Sequence, residues 1–277
     1  MPIITISRGS MSGGTELAEC VATNLNIPCV GREILISAAA KLGVPEEILS
    51  RKMEKGPGLW DRLTLERRIY VVAVQAALAE KIDTGNLVYH GLAGHLLLRD
   101  VPAVLRLRLI APLPARIRTV MERQRISSEA AEQYIKEVDE NRLRWTRFMY
   151  DVDLRDPQIY DMMINLEKMS ISSACNVVKE ALKEPEFRIT DSVRAQLADF
   201  SLACRVKVAL ATNPASRGLD LEVTATNGHI QIAGEVPQPI MLTHASSRWE
   251  EELTEIARNI QGVRTVQLNI RPFDAYH

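Results

Sequence analysis

Apolar runs of strand length alternate with amphipathic stretches over the first two thirds of the chain. The runs that predict strands lie at 3–7, 27–30, 86–91, 104–111 and 161–165. Between them, apolar residues recur at helical spacing, which predicts helices over 14–24, 32–41, 59–82, 114–123, 128–150 and 172–182. Pro45 is placed to start a further helix, and the Lys-Gly-Pro-Gly segment at 55–58 predicts a break. Short strands that alternate with helices predict a parallel α/β sheet with helices on both faces.

A different pattern begins near the end of the last of these helices. The predicted elements are a linker at 183–186, a helix at 191–213, strands at 219–226 and 229–236, a helix at 249–260 and a strand at 263–270. The two strands alternate apolar with polar positions and meet at Asn227-Gly228, a dipeptide typical of tight hairpin turns. The chain is therefore expected to hold two domains, at 1–184 and 190–272, the second a small α+β domain with the order αββαβ.

Composition narrows the class of protein. The chain has 277 residues, of which 46% are hydrophobic, so it can bury a substantial core. A formal net charge of −1 gives no electrostatic argument for nucleic acid as a partner. No apolar stretch reaches the roughly 18 residues of a membrane span, and no basic segment of signal-peptide type opens the chain. A soluble, cytoplasmic protein without a transmembrane segment is expected.

The cysteines and histidines do not suggest a metal site. Cys20, Cys29, Cys175 and Cys204 are scattered without C-x-x-C spacing, which favours reduced, buried thiols. No cluster of histidine, cysteine and aspartate has the spacing of metal ligands. No resident metal ion is expected.

The turn after the first apolar run has the layout of a phosphate-binding loop. It runs through Ser10, Met11, Ser12, Gly13, Gly14 and Thr15 into the first turn of a helix. Backbone N–H groups of such a turn point into one concavity and favour an anion, and a hydroxyl of Ser12 or Thr15 can bind phosphate or Mg²⁺. The usual loop ends in Gly-Lys-Ser/Thr, but Gly14-Thr15 has no lysine. An ordinary glycine turn between strand and helix is the alternative.

Without that lysine, another cation must neutralise the phosphates, and arginines are available further along the chain. Guanidinium groups bind phosphate bidentately and stay charged. The hypothesis is that Arg116, Arg118 and Arg142 line the phosphate path and that Asp139 holds one of them in place. The alternative is a solvated helix face in which arginines and carboxylates form ion pairs at i,i+3 and i,i+4.

Several short motifs of the first region occur together in one known family. They are Ile6-Ser7-Arg8, Ser12-Gly13-Gly14, Glu16-Leu17-Ala18, Arg32-Glu33-Ile34-Leu35, Ala111-Pro112-Leu113 with Arg116 and Arg118, Val138-Asp139 with Arg142, and Tyr160-Asp161 with Asn165. In this combination the region resembles the cytidylate kinase-like family, a branch of the P-loop nucleoside monophosphate kinases. Four positions depart from the family pattern, namely Met11 for a glycine, Thr15 for an arginine, Gly31 for an aspartate and Leu92 for an arginine.

The resemblance implies a P-loop kinase fold and phosphoryl transfer from ATP, with Mg²⁺ bound through the nucleotide. It implies a nucleoside monophosphate or related acceptor, with cytidylate as the first candidate. Arg116, Asp139 and Arg142 would be catalytic residues of the lid. The loop from Ser10 to Thr15 and Arg118 would bind the nucleotide, and the acceptor would lie against Arg8, Arg32 and Glu33. Arg8 directly follows the first strand, so facing the phosphates and capping the edge of the sheet are its alternatives.

The last region resembles the BON family, named for bacterial osmotic-stress and nodulation proteins. The resemblance rests on the Asn227-Gly228 turn, the following Ile232-Ala233-Gly234-Glu235-Val236, and Ile260-Gln261-Gly262-Val263 after the next helix. Members are generally viewed as modules that bind small ligands, lipids or partners. The resemblance implies a regulatory role here, with an unknown small ligand or protein partner.

Three functions stay open at this point. The chain can be a kinase, a pseudokinase that senses a nucleotide and signals through the BON domain, or an interaction protein with a vestigial loop. The missing lysine, Gly31 and Leu92 favour the pseudokinase over the kinase, whereas the loop glycines, Asp139 and Arg142 disfavour a vestigial loop. The family branch that the region resembles often lacks the lysine itself, so this absence counts for less. The main prediction is therefore a phosphotransferase with a regulatory BON domain, and the pseudokinase is its alternative. The long apolar helix predicted over 59–82 also suggests a homodimer.

Overall fold

The apolar runs of the first region form a five-stranded parallel sheet. The computed structural model describes residues 2–42, 64–83, 85–91, 93–237 and 246–273. The strands are β1 (Ile3–Arg8), β2 (Cys29–Gly31), β3 (Leu87–His90), β4 (Val104–Ile110) and β5 (Met162–Asn165). Their order is β2-β3-β1-β4-β5, and every neighbouring pair is parallel. This is the predicted α/β sheet, with β1 and its following loop at the centre.

Helices connect these strands. They are α1 (Gly14–Leu25), α2 (Arg32–Ala40), α3 (Thr64–Ile82), α4 (Gly94–Leu97), α5 (Leu113–Gln124), α6 (Ser128–Tyr150) and α7 (Ile171–Ala181). Serine hydroxyls cap the N-termini of α6 and α7. The Ser127 hydroxyl accepts a hydrogen bond from the N–H of Ala130, and the Ser170 hydroxyl accepts one from the N–H of Ser173. The predicted helices are confirmed in the described residues, and the four-residue α4 was not predicted. The helix start at Pro45, the break at 55–58 and the first part of the helix predicted over 59–82 lie outside them.

The two faces of the sheet differ in polarity. One face buries Ile4, Ile6, Leu105 and Leu107 against α1 and α7, which contribute Leu17, Val21, Ala174 and Val178 among others. The alternate residues point to the other face. There they are partly polar, with Thr5 and Ser7 buried on β1 and Arg106 and Arg108 half-buried on β4. The sheet therefore carries hydrogen-bonding side chains towards its carboxyl edge on one face.

The last region has its own sheet and core. Its elements are α8 (Asp191–Thr212), β6 (Asp220–Thr226), β7 (His229–Pro237), α9 (Ser246–Arg258) and β8 (Thr265–Phe273). Strand β6 pairs antiparallel with β7, and β8 pairs parallel with β7. Asn227 and Gly228 turn the hairpin with φ of 51° and 81°, as the dipeptide predicts. The order αββαβ is as predicted, and the assignment to the BON family stays a prediction.

Contacts divide the chain into two units. In the described residues, the first holds 2–35 and most of 85–190, and the second holds 36–42, 64–83 and most of 191–273. Helix α3 belongs to the second unit, where it packs against α8. The predicted domains, 1–184 and 190–272, are continuous segments of sequence, whereas the two contact units are discontinuous along the chain. The predicted boundaries therefore stay a prediction. The described apolar stripe of α3 is buried within this chain, so it lends the predicted homodimer no support.

Candidate functional site

The loop between β1 and α1 is shaped by left-handed backbone. Met11 has φ of 56° and Gly13 has φ of 78°, and α1 begins at the next residue, Gly14. A Cβ at Gly13 would also lie 3.0 Å from Cδ1 of Ile171. The left-handed backbone and the nearby Ile171 side chain therefore both favour glycine at position 13. The first N–H groups of α1 have no partner within the helix and are free to face an anion.

Two neighbouring cavities lie over this loop. The larger, of about 420 Å³, is lined by the loop from Ser10 to Thr15, and its charged lining residues are Arg8, Glu16, Arg116, Arg123 and Arg142. The smaller, of about 220 Å³, has as its charged lining residues Arg8, Arg108, Arg116, Asp139, Arg142 and Arg155. Each cavity thus has one carboxylate against four or five arginines. This excess of positive charge favours a polyanion.

A hydrogen-bonded cluster fixes the loop to the two helices that follow β4. The Asp139 carboxylate of α6 accepts from the backbone N–H of Ser10 at 2.9 Å and from its hydroxyl at 2.8 Å. The Arg116 guanidinium of α5 donates to the Ser10 carbonyl at 2.7 Å and to Asp139 at 2.5 Å. Asp139 therefore holds Arg116, as hypothesised. It also occupies the N–H of Ser10, so this amide is not free for phosphate.

Arg142 differs from the other described arginines that line the cavities, because each of those forms a side-chain hydrogen bond. Its side chain lines both cavities, and it forms no hydrogen bond or ion pair with any residue that the structure describes. Burial lowers its pKa, with a further lowering by the nearby charge of Arg8 and an opposing effect from Asp139. Half-buried cations without a counterion are costly, so this position is organised to receive an anion.

Ser12 supplies a second buried polar group that could bind an anion, in this case an uncharged hydroxyl. The residue is 2% exposed, and its hydroxyl has no hydrogen-bond partner in the structure, although it lines both cavities. A buried hydroxyl without a partner is costly, and a bound phosphate oxygen would satisfy it. The half-buried Thr15 also lines the larger cavity. Its hydroxyl is a suitable oxygen ligand for Mg²⁺ beside a phosphate.

Arg8 enters from the end of β1 and lines both cavities. One of its guanidinium nitrogens lies 3.3 Å from Nδ1 of His90, at the end of the neighbouring β3. Burial lowers the pKa of His90, and the charge of Arg8 lowers it further, so the neutral imidazole is favoured. A neutral Nδ1 can accept the hydrogen bond from Arg8.

The remaining predicted residues lie elsewhere. Arg118 is exposed and lines neither cavity. Arg32 and Glu33 also line neither cavity, and Glu33 lies beside Gly31, where a Cβ would come within 2.9 Å of its carboxylate. Their roles in binding the nucleotide or the acceptor stay predictions. Leu92 lies outside the described residues.

Three arginines of the cavities were not among the predicted site residues. Arg123 lines the larger cavity and pairs with Glu16 at 2.5 Å, while Arg108 and Arg155 line the smaller one. Arg108 had a sequence signal, because it alternates with apolar residues on β4. Its guanidinium donates to the Tyr160 hydroxyl at 3.0 Å.

A buried aromatic layer supports Arg108. The Tyr160 hydroxyl donates to the Leu154 carbonyl at 3.0 Å, and its ring lies 4.7 Å from that of His95, centroid to centroid. Burial, and then the charges of Arg108 and Arg106, lower the pKa of His95 to about 3. This histidine is therefore neutral in the folded protein at physiological pH.

Several other features of the described residues bear on the chemistry. They contain no group of three or more histidine, cysteine, aspartate or glutamate residues that could hold a metal ion. All four cysteines are free thiols, of which Cys175 and Cys204 are buried. Within the same ranges, no helix has the length and apolar character needed to span a membrane.

Comparisons with known proteins agree with this geometry. The model of the cytidylate kinase-like family matches residues 3–168. The cytidylate kinase of Pyrococcus horikoshii is 31% identical over 182 residues, covering 65% of this chain and 88% of the relative. That of Methanocaldococcus jannaschii is 26% identical, covering 65% and 97%. An uncharacterized protein from Eubacterium ventriosum shares the fold, with a TM-score of 0.54 at 19% identity over 66% of this chain and 98% of its own. The family match ends before α8, and it includes the segments 36–42 and 64–83 that the contacts group with the second unit.

Proposed function

This chain belongs to the cytidylate kinase-like family, and on that premise we propose that it is a kinase that moves the γ-phosphate of ATP to a nucleoside monophosphate or a related acceptor. The observation that carries the proposal is the unpartnered Arg142 in a cavity over the loop. A half-buried guanidinium without an ion-pair partner, in the same cavity as the first N–H groups of a helix, is suited to binding a chain of phosphates.

The triphosphate of ATP would lie in the larger cavity. The N–H groups at the start of α1 and the Ser12 hydroxyl would bind its oxygens, and Thr15 would ligate the Mg²⁺ that arrives with the nucleotide. An acceptor oxygen then bonds to the γ-phosphorus as the bond to the β–γ bridging oxygen breaks, and that electron pair leaves with ADP. Arg142 would stabilise the charge on the transferring group.

The acceptor's own phosphate would lie in the smaller cavity. Arg108 and Arg155 line it, and Arg108 supplies positive charge there, whereas Arg155 is paired with Asp153 at 2.7 Å. Asp139 and Arg116 would act by fixing the loop between the two cavities. Cytidylate as the acceptor, base recognition by Arg32 and Glu33, and regulation through the αββαβ unit as a BON domain belong to this proposal.

The pseudokinase alternative rests chiefly on the missing loop lysine. Several arginines line the cavities, and they can supply the positive charge that phosphoryl transfer needs in place of a lysine. We therefore favour turnover.

A direct transfer assay tests this function. Protein, Mg²⁺ and γ-labelled ATP would be incubated with each common nucleoside monophosphate, and label in the diphosphate product would be counted. We expect acceptor-dependent product, with cytidylate among the best acceptors. Arg142→Ala should raise the Kd of Mg·ATP about tenfold or more, since a charge-assisted hydrogen bond contributes about 1.5–3 kcal/mol.

Arg99→Ala is the matched control, because Arg99 is exposed and lines neither cavity. Its Kd and rate should equal those of the natural protein. Absence of product with every acceptor, or an Arg142→Ala variant that binds Mg·ATP as tightly as the control, would contradict the proposal.

A further inference from the structure

We propose that Arg8 takes the place of the missing loop lysine and is the residue that contacts the β and γ phosphates of ATP. This inference rests on the proposed function. It assigns Arg8 to the phosphate donor, and not to the acceptor or to the edge of the sheet.

Gly14 stands where the lysine of the usual loop would be. In the pattern Gly-Lys-Ser/Thr, Gly13 is the glycine and Thr15 the hydroxyl residue, so Gly14 has the lysine's position. A Cβ built on Gly14 would lie 2.0 Å from Cδ of Arg8, and 3.0 Å from both its Cγ and its Nε. The aliphatic part of Arg8 therefore fills the space into which a lysine side chain would leave the backbone.

The backbone does not explain this glycine. Gly13 has φ of 78° and needs glycine, but Gly14 is the first residue of α1 and is not among the residues with positive φ. Any L-residue is compatible with helical backbone at that position. What excludes a side chain at Gly14 is the Arg8 side chain itself. A lysine at position 14 therefore requires the Arg8 side chain to leave its present position.

The Arg8 guanidinium is also in a position to act. It lines both cavities over the loop. Its hydrogen-bond partner is the neutral ring of His90, and it forms no ion pair with a carboxylate of the described residues. Arg116 and Arg123 differ, because Asp139 and Glu16 partly neutralise them. Arg8 and Arg142 line both cavities without a carboxylate partner in an ion pair among the described residues, although Glu33 and Glu16 lie near enough to Arg8 to raise its pKa against the effect of burial.

The chemistry suits this exchange. A loop lysine contributes a positive charge to the β and γ phosphates, and an arginine contributes the same charge through a planar fork that can bind two oxygens. Charge grows on the bridging oxygen as its bond to the γ-phosphorus breaks. A guanidinium fixed by His90 and by packing on Gly14 would stabilise that charge without moving.

A charge-exchange experiment tests the proposal in the full chain. The variants are Arg8→Met, which keeps the unbranched stem without charge, Arg8→Lys, Gly14→Lys, and the double variant Arg8→Gly/Gly14→Lys. Arg99→Ala again serves as the control. The rate of phosphoryl transfer, the Kd of Mg·ATP and the melting temperature would be measured for each.

We expect Arg8→Met to lower kcat about 100-fold, in the range found for loss of one transition-state donor, with the melting temperature close to that of the control. Arg8→Lys should retain part of the rate. Gly14→Lys should be inactive or unstable, because its side chain meets Arg8. The double variant should regain at least tenfold over Gly14→Lys, since it restores a cation at the same place.

The outcomes separate this proposal from the function on which it rests. If the natural protein transfers phosphate and folded Arg8→Met does so at a similar rate, the assignment of Arg8 is wrong and the kinase function stands. A folded double variant no better than Gly14→Lys would also overturn the assignment. If the natural protein transfers phosphate to no acceptor, the kinase function fails, and the assignment fails with it.

Discussion

Replacing Asp139 by asparagine removes one charge from the cluster that fixes the loop. The Asp139 carboxylate accepts two hydrogen bonds from Ser10, at 2.9 and 2.8 Å, and one from Arg116 at 2.5 Å. Asparagine keeps one acceptor oxygen, which can serve Ser10. Its amide nitrogen is a donor and would face the Arg116 guanidinium, which is also a donor.

The expected loss follows from these three contacts. Hydrogen bonds to a charged group contribute about 1.5–3 kcal/mol and neutral ones about 0.5–1.5 kcal/mol, so weakening two and losing one gives a few kcal/mol. The Asp139 side chain is 29% exposed and that of Arg116 is 12% exposed, so solvent screens part of the interaction. We expect Asp139→Asn to lower the free energy of unfolding by about 2 kcal/mol.

The transfer rate should fall as well, by about tenfold or more, because the loop loses its fixed position and a displacement of 1 Å is enough for such a loss. The assay is urea unfolding followed by circular dichroism, together with the transfer assay on the same protein. Glu140→Gln is the control for charge, because Glu140 is exposed on the same helix and its side chain forms no hydrogen bond or ion pair with the described residues.

A second comparison separates the ion pair from its location. Asp161 pairs with Arg106 at 2.5 Å with similar exposure, but neither residue lines the loop cavities. Asp161→Asn should therefore destabilise the protein while leaving the Kd of Mg·ATP unchanged. If Asp139→Asn unfolds at the same urea concentration as Glu140→Gln and transfers phosphate at the natural rate, the cluster does not fix the loop and the reasoning is refuted.

Three further predictions follow from single positions. Gly13→Ala should raise the Kd of Mg·ATP about tenfold, because φ is 78° and the new Cβ meets Ile171 at 3.0 Å; calorimetry showing an unchanged Kd would contradict this. Burial lowers the pKa of His95 from 6.5 to about 3, so the unfolded chain binds one proton more than the folded protein as the pH falls below 6.5. The free energy of unfolding should therefore fall by about 2 kcal/mol between pH 7 and pH 5, and His95→Phe should not show this part of the decrease in urea unfolding. Gly228→Ala, with φ of 81° and a Cβ 2.9 Å from the Gly262 carbonyl, should destabilise the second unit in urea unfolding without changing the transfer rate.

The order of strands and helices could be predicted because its signal is local. Apolar runs bury β1, β3 and β4, and a two-residue turn sets the hairpin of β6 and β7. The short α4 could not be predicted, since it begins without a side-chain cap and follows Ala93 in left-handed backbone with φ of 63°. Nor does the sequence show that α3 packs with α8, because helical periodicity identifies a buried face and not its partner.

The site was predictable only where it is contiguous. The loop lies within a few residues, so its glycines and hydroxyls mark it directly. Helix geometry could have improved the choice of arginines on α5: residues seven apart share a face, as Arg116 and Arg123 do, whereas Arg118 is turned roughly 200° away from Arg116. Arg155 follows α6 and reaches the smaller cavity only through the tertiary fold, so no local pattern could identify it.

The missing lysine shows that a group absent from its usual position in the sequence can be supplied by another residue that lies in the same place in the structure. Compared with the usual Gly-Lys-Ser/Thr pattern, Gly14 stands at the position of the lysine, and this difference favours a degenerate site. In the structure, the space beside Gly14 is filled by Arg8, six residues earlier, and the glycine is what allows the arginine to lie there. The glycine and the arginine are therefore one arrangement, and a lysine placed at position 14 alone should impair the protein.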